Sequence, residues 1–343
     1  MAAGVTPGDR CMVVGAGCGG RYDGGVAILI TGGAGFIGRA LASRFVSEAR
    51  EVAGFDLAEP RTAGGSARWP AGMRFLTGDI RDAAAVRAAV AASGTGDPIV
   101  HLAGLLTAGC DHDPALGMAV NVSGTFHVLD AARRHGKRRV VLASTIGVYG
   151  RGLPQPIREG MAAEPDGWYG YTKRCAEEMG LLHVRRHAMD VRAARMAAVT
   201  GPFRRAAGSA SMFTSLIPER AARGEPYEVE VTEDAAYPVV YLDDAVGALA
   251  RLATAPEAPG RIYNVASGRV VVREMIAHVR RTLPRAQFSF APDPVIMRVV
   301  SGYRDWRLDC SLVADELGWR PRFGVREMVD DIIRKTARPP ATG

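Results

Sequence analysis

At 343 residues the chain can build one large domain or two modest ones, and its 48% apolar and 23% charged residues are ordinary for a globular protein. No apolar run reaches the roughly 18–20 residues needed to span a bilayer, and Met1–Arg10 lacks the basic-then-apolar order of a signal peptide, so a cytoplasmic protein without membrane partners is expected. The net charge of +7 does not imply nucleic acid, because its densest cluster, Arg133 to Arg139, reads as the cationic end of a helix stopping at Gly136.

Residues 1–25 are glycine-rich and read as an extension preceding the fold. They hold a G-x-G-x-x-G match, Gly15 to Gly20, but the polar Arg21-Tyr22-Asp23-Gly24-Gly25 after it cannot open an apolar helix, so the match reads as a decoy. From Val26 the pattern turns regular. Val26–Ile30 is a short unbroken apolar run, as in a strand covered on both faces, and a helix follows from about Phe36 to Ala49. Glu51–Phe55 makes a second strand ending at Asp56. Further strands are expected at Met73–Leu76, Ile99–Leu102, Val140–Ala143 and Asp190–Ala194, with helices at about 82–92, 115–135 and 169–187. Strands alternating with helices predict an α/β fold built on a doubly wound parallel sheet. After about residue 195, Pro202, Pro218, Pro226 and Pro238 break the pattern, and helices return near 243–254, 271–282 and 325–336. This later part is expected to form a smaller C-terminal lobe over the strand ends.

Thr31-Gly32-Gly33-Ala34-Gly35-Phe36-Ile37-Gly38 follows a buried strand and opens a helix. Gly32, Gly35 and Gly38 permit a tight turn, let backbone N–H groups approach a pyrophosphate, and allow close helix–strand packing. Asp56 stands at the tip of the second strand, 18 residues after Gly38, where a carboxylate can bind both ribose hydroxyls and repel a 2′-phosphate. The expected cofactor is NAD, although Arg61 stands nearby.

Trp168-Tyr169-Gly170-Tyr171-Thr172-Lys173 puts Tyr169 and Lys173 four apart on one face at the start of a helix. A phenol titrating near 10 is a poor base at neutral pH, and an ammonium with the positive nicotinamide ring lowers that value by roughly 1–3. Lysine occurs only at positions 137, 173 and 335 among 43 basic residues, which suggests a chemical need for an ammonium at Lys173. A hydroxyl donor should complete the set. Ser144 or Thr145, at the end of a buried strand, can reach the reacting oxygen, although such residues also serve only to satisfy backbone groups. The five cysteines (Cys11, Cys18, Cys110, Cys175, Cys310) are scattered without C-x-x-C spacing, as reduced thiols are. Cys110 and His112 lack two further ligands at sensible spacing, so no metal site is expected.

From about Val26 to Ile333 the chain resembles an extended short-chain dehydrogenase/reductase, the NAD-dependent epimerase/dehydratase group. The glycine loop, Asp56, Gly78-Asp79-Ile80, His101-Leu102-Ala103-Gly104, Asn121-Val122-Ser123-Gly124-Thr125, Ser144–Gly150 and Tyr169–Lys173 appear in family order. The resemblance implies a Rossmann domain over residues 26–195 that binds NAD and carries the catalytic groups. Residues 196–343 would be mainly a substrate-binding lobe, partly interleaved with it. Phe36 and Ile37 lie in the cofactor loop, Asp79 and Ile80 would bracket the adenine, and Leu102, Ala103, Gly104 and Met196 would line the cofactor. Thr145 matches the family's catalytic hydroxyl, Lys173 would also hold the nicotinamide ribose, and Asn121 would complete the catalytic set from beneath. The resemblance also implies a homodimer, with helices near 115–135 and 169–187 pairing across a two-fold axis.

Two departures separate the chain from sugar-nucleotide epimerases. Ala198 stands where those enzymes usually carry a diphosphate-binding asparagine, and Tyr237 where they usually carry an arginine, with Arg204, Arg205 and Arg304 as the available replacements. Loss of a polar ligand and a cation makes burying a diphosphate costly. The same regions resemble short-chain-type L-threonine 3-dehydrogenases. Thr107 stands where those carry a substrate-contacting serine, and Ala206–Ser211, with Ser209 and Ser211, is similar to their hydroxyl-rich segment. The expected function is oxidation of a secondary alcohol on a small polar substrate, a β-hydroxy amino acid or a sugar acid. The alternative is a sugar-nucleotide epimerase or dehydratase with tightly held NAD.

Overall fold

The computed structural model describes residues 27–337 apart from 60–68, 72, 97, 137–138 and 206–208, so the glycine match at Gly15–Gly20, Arg61 and Ala206–Gly208 lie outside the described residues. The strands are β1 (Ile28–Thr31), β2 (Val52–Asp56), β3 (Arg74–Thr77), β4 (Ile99–His101), β5 (Arg139–Thr145), β6 (Asp190–Met196), β7 (Ala198–Thr200), β8 (Tyr227–Val229), β9 (Ala236–Tyr241), β10 (Ile262–Val265), β11 (Gly268–Val271) and β12 (Phe288–Phe290). Between and after them run α1 (Phe36–Ser47), α2 (Ala83–Ala92), α3 (Thr107–His112), α4 (Pro114–Gly117), α5 (Gly124–Arg134), α6 (Trp168–His187) and α7 (Phe213–Ala222). The last five helices are α8 (Leu242–Thr254), α9 (Val272–Thr282), α10 (Pro294–Val300), α11 (Ser311–Leu317) and α12 (Val325–Ala337).

Seven strands make one all-parallel sheet in the order β3-β2-β1-β4-β5-β6-β10, a doubly wound Rossmann arrangement as the sequence pattern predicts. The unbroken apolar runs follow from helices on both faces. Ile28, Ile30, Val100 and Val141 point into a core shared with α1 and α8. Their neighbours Leu29, Ile99, Val140 and Leu142 point into a second core shared with α2 and α5. Alternation is present in direction but invisible in hydropathy, because both directions are dry.

Three features depart from the sequence pattern. β10 comes from the C-terminal half yet closes the main sheet beside β6, with Ile262 level with Ala193. Pro218 and Pro238 do not break the chain: they sit inside α7 and β9, because burying those segments in the lobe core outweighs the local cost of proline. The helix expected at 115–135 is not uniform, since Met118–Ser123 between α4 and α5 is a π-helical segment that widens the helix at Asn121.

The C-terminal lobe packs a three-stranded sheet, β11-β9-β7, and a parallel pair, β12-β8, against α7, α9 and α12. Its core holds Phe213, Ile217, Val239, Tyr241, Val270, Val279, Met328 and Ile332. The lobe faces the carboxyl ends of β1, β4, β5 and β6, and the two sides enclose a cleft of about 580 Å³.

Candidate active site

The cleft begins at the glycine loop. Gly32 has a positive φ of 71°, and a Cβ there would lie 2.6 Å from the Ala103 backbone nitrogen, so only glycine lets β1 turn against the strand β4 exit. A Cβ on Gly38 would come 2.3 Å from the Gly32 carbonyl oxygen, so the first turn of α1 rests directly on the loop. Neither a capping side chain nor an acidic residue occupies the first turn of α1. Its backbone N–H groups and positive dipole end are left for an anion, which suits a dinucleotide's pyrophosphate. Asp56, half-buried at the tip of β2, accepts hydrogen bonds from Ala34 N at 3.0 Å and Leu57 N at 2.8 Å. Its carboxylate braces the loop while keeping lone pairs for ribose hydroxyls.

The opposite wall is α6. A Cβ on Gly170 would lie 2.0 Å from the Gly147 carbonyl oxygen, so the start of α6 sits on the turn after β5. That contact brings Tyr169 beside Thr145. The Thr145 hydroxyl accepts from Gly147 N at 3.1 Å. Asn121 is buried and clamps three pieces together: its Oδ1 accepts from Leu105 N at 2.7 Å, and its Nδ2 donates to Leu105 O at 3.0 Å and to Thr172 Oγ1 at 3.0 Å. Thr172 in turn donates to the Tyr169 carbonyl at 2.8 Å. The π-helical widening thus positions an amide that ties the Leu105 loop to α6. Gly104 lets Lys173 and Asn121 close in, since a Cβ there would be 3.1 Å from both Lys173 Nζ and Asn121 Oδ1.

Electrostatics differ from the expectation for Tyr169. Burial pushes its hydroxyl well above the usual tyrosine range, and the thiol of Cys110 and hydroxyl of Tyr303 add to this; the Arg204 charge and a hydrogen bond from Thr145 pull it back only in part. Lys173, with Nζ 5.9 Å from the Tyr169 ring centroid, is itself lowered to about 8 by burial. Desolvation outweighs the local charges on both groups.

Of the expected residues, Gly32, Gly35, Phe36, Ile37, Gly38, Leu102, Gly104, Thr107, Ser144, Thr145, Tyr169, Lys173, Met196, Ser209 and Ser211 line this single cleft. Asp56, Asp79, Ile80, Ala103 and Asn121 are not on its wall. The Asp79 carboxylate is held by Arg81, at 2.6 Å from Nη2, and Ile80 is buried against Gly124. Ser144 donates at 2.5 Å to Glu177, which also binds Arg195 through Nε at 2.9 Å and Nη2 at 2.7 Å. Its hydroxyl proton therefore belongs to a structural network linking β5, β6 and α6. Ala198 and Tyr237 both line the cleft, and of the three replacement arginines only Arg204 does. Arg205 pairs with Glu219 at 3.1 Å and Arg304 with Asp234 at 2.8 Å. Sequence reasoning missed Tyr303 and Trp306, which pack on each other with centroids 4.5 Å apart and close the cleft beside Tyr237. Nothing in the spacing of that segment marks it as part of the site.

The chain is similar to the mitochondrial L-threonine 3-dehydrogenase of Bos taurus, 28% identical over 238 residues, which are 68% of this chain and 63% of the length of that enzyme. It is also similar to a UDP-glucose 4-epimerase of Streptomyces lividans, 29% identical over 318 residues covering 88% and 94% of the two chains. Among solved structures, a GalE-like L-threonine dehydrogenase from Cupriavidus necator in its holo form superposes with a TM-score of 0.80 at 26% identity, covering 90% of this chain and 99% of that one. A model of the NAD dependent epimerase/dehydratase family matches residues 28–266, most of the Rossmann sheet and the cleft it opens. With that match spanning more than half of its length, the chain belongs to the NAD dependent epimerase/dehydratase family.

Proposed function

We propose that this enzyme oxidises a secondary alcohol on a small polar substrate, a β-hydroxy amino acid or a sugar acid, by proton transfer through Tyr169. The observation that carries this reading is the convergence of Thr145, Tyr169 and Lys173 with the glycine loop in one cleft. The uncapped start of α1 and the glycine cradle would hold the pyrophosphate, Asp56 the adenosine ribose, and Lys173 the nicotinamide ribose. NAD, when bound, supplies the carbon that accepts the hydride. As the phenolate, which the Lys173 ammonium and the positive nicotinamide ring of bound NAD would favour against burial, Tyr169 takes the proton of the substrate hydroxyl and becomes the phenol, and Thr145 holds that oxygen in place. With Lys173 lowered to about 8, most of its side chains carry a proton at neutral pH, so an ammonium faces the phenol during turnover. Asn121 acts through position, holding the backbone under Tyr169.

Ala198 and Tyr237 support net dehydrogenation over epimerisation, because they put a methyl group and a phenol where a diphosphate would need polar and cationic ligands. The epimerase reading draws its support from the length of the Streptomyces lividans match. Net NADH separates the two. Stoichiometric NADH from L-threonine, a related hydroxy acid or an aldonate supports the dehydrogenase, and isomerised UDP- or dTDP-sugar without NADH refutes it. Tyr169→Phe should lower kcat by about 100-fold or more while NAD binding is kept; unchanged turnover would remove the mechanism.

The exposed Phe126 on α5 and Trp168, Tyr171 and Leu182 on α6 support a homodimer joined through these two helices. The free thiols Cys110, Cys175 and Cys310 suit a reducing compartment such as the cytoplasm. We assign residues 26–195 to the NAD-binding unit and 196–343 mainly to substrate binding, with β10 and α8 as the interleaved pieces.

A further inference from the structure

The chain treats its buried arginines differently. Arg192 is paired with Asp190 at 2.7 Å and Arg195 with Glu177 at 2.7 Å. Arg204, only 7% exposed, lines the cleft and is met, among the described residues, by neutral oxygens. Its Nη2 donates to Ser209 Oγ at 2.7 Å, and its Nη1 to Ser211 O at 3.2 Å and Ser211 Oγ at 3.3 Å. Three acceptor atoms cannot saturate the five donors of a guanidinium. Residues 206–208 are Ala, Ala and Gly and carry no acid, and among the described residues no carboxylate offsets the Arg204 charge. Burying an unpaired cation is costly, and a fold that keeps one facing a cavity has left room for an anion.

We propose that Arg204 binds the carboxylate of the substrate, so that the enzyme takes hydroxy acids and discriminates against the corresponding neutral alcohols. This rests on the dehydrogenase reading above and names its substrate class. The geometry defines the class further. The two serine hydroxyls lie 3.1 Å apart, so one proton can join them while the other is free for a second carboxylate oxygen. The anion site is therefore a planar guanidinium edge with an adjacent hydroxyl, matched to a two-oxygen acid. Arg204 and Tyr169 line the same cleft, so an acid held by the guanidinium and an alcohol facing the phenol belong to one substrate. A sugar nucleotide would bring its diphosphate to the cleft a whole hexose away from the oxidised carbon. A short hydroxy acid brings its carboxylate within one or two carbons. Tyr237 lines the same cleft and packs on Tyr303 with centroids 4.8 Å apart and the rings tilted by 42°.

The test uses the full-length enzyme with NAD and two readouts. NADH formation is measured for L-threonine and a four-carbon aldonate, each beside its amide and its matching neutral alcohol. Thermal shifts of the NAD complex are recorded with the same compounds. The acids should exceed their neutral partners by about 100-fold or more in kcat/KM, and only acids should raise Tm. Arg204→Met should remove that preference through KM, and Arg204→Lys should restore part of it. NAD binding by the Arg204→Met protein shows that it has folded, and the wild-type acid preference stands as a measurement independent of any variant. Which acid is oxidised, amino acid or aldonate, names the source of the carboxylate. Equal treatment of acids and neutral alcohols, with NADH formed from both, overturns this proposal and leaves the dehydrogenase intact. Isomerised UDP-sugar without NADH overturns the dehydrogenase reading itself, and acids that raise Tm in an enzyme forming no NADH still support the anion site.

Discussion

The buried ammonium of Lys173 should cost the fold stability that function requires, and replacing it should make that cost visible. Its value falls from 10.5 to about 8, and burial is the main cause. A difference of about 2.5 corresponds to roughly 3 kcal/mol of destabilisation when the group is charged. Among the described residues no carboxylate offsets it, and the Cys110 thiol opposes the shift only in part. Methionine has a similar length, fills the same space and carries no charge. Lys173→Met should therefore stabilise the cofactor-free protein by about 2–3 kcal/mol at pH 7, a rise in Tm of roughly 3–4 °C for a chain of this size, while turnover is lost. The pH dependence follows from the sign of the shift. The folded protein holds fewer protons than the unfolded chain between about pH 8 and 10.5, so the wild type gains stability as pH rises through that window. Below it the full penalty applies. Urea denaturation of both proteins from pH 7 to 10.5 isolates the effect, because every other titrating group is common to the pair. A gap that is absent at pH 7, or that persists unchanged at pH 10.5, refutes the reasoning.

Glu177→Gln strips the carboxylate from buried Arg195 and should destabilise the protein by about 3–5 kcal/mol in urea melts, since an unpaired buried charge is left behind. Gly38→Ala drives a methyl group to 2.3 Å from the Gly32 carbonyl, and α1 must move off the loop. NAD affinity, read by fluorescence titration, should fall by more than about tenfold, by analogy with the magnitudes of overpacking. With Asp56 proposed as the ribose ligand that also repels a 2′-phosphate, Asp56→Ala should narrow the NAD over NADP preference in kcat/KM by roughly tenfold or more; an unaltered ratio places the selectivity elsewhere.

The cofactor half of the molecule was legible in the residues alone because its determinants are local. A buried strand, a glycine turn and a helix start lie within a dozen residues, and the constraint on each glycine is a contact with its own neighbourhood: Gly38 meets Gly32, and Gly170 meets the turn after β5. The Tyr169–Lys173 pair is legible for the same reason, being one turn of one helix. The alternation of strands and helices likewise follows from propensity and from the dryness of both sheet faces. Tertiary structure alone decided the rest. β10 reaches the main sheet from 66 residues beyond β6, and no local pattern states that a strand will travel so far. Pro218 and Pro238 look like chain breakers until the lobe core buries them. Tyr303 and Trp306 enter the cleft from a segment with no motif at all. Asp79 kept its place in the sequence pattern, but Arg81, two residues on, took its carboxylate. Arg204 shows the division most clearly. In the sequence it is one of three equivalent arginines, and only the packing around it decides that the exposed Arg205 and Arg304 each pair with an acid while Arg204 is buried with none among the described residues, because a charge acquires meaning from the dielectric and the partners that the fold supplies.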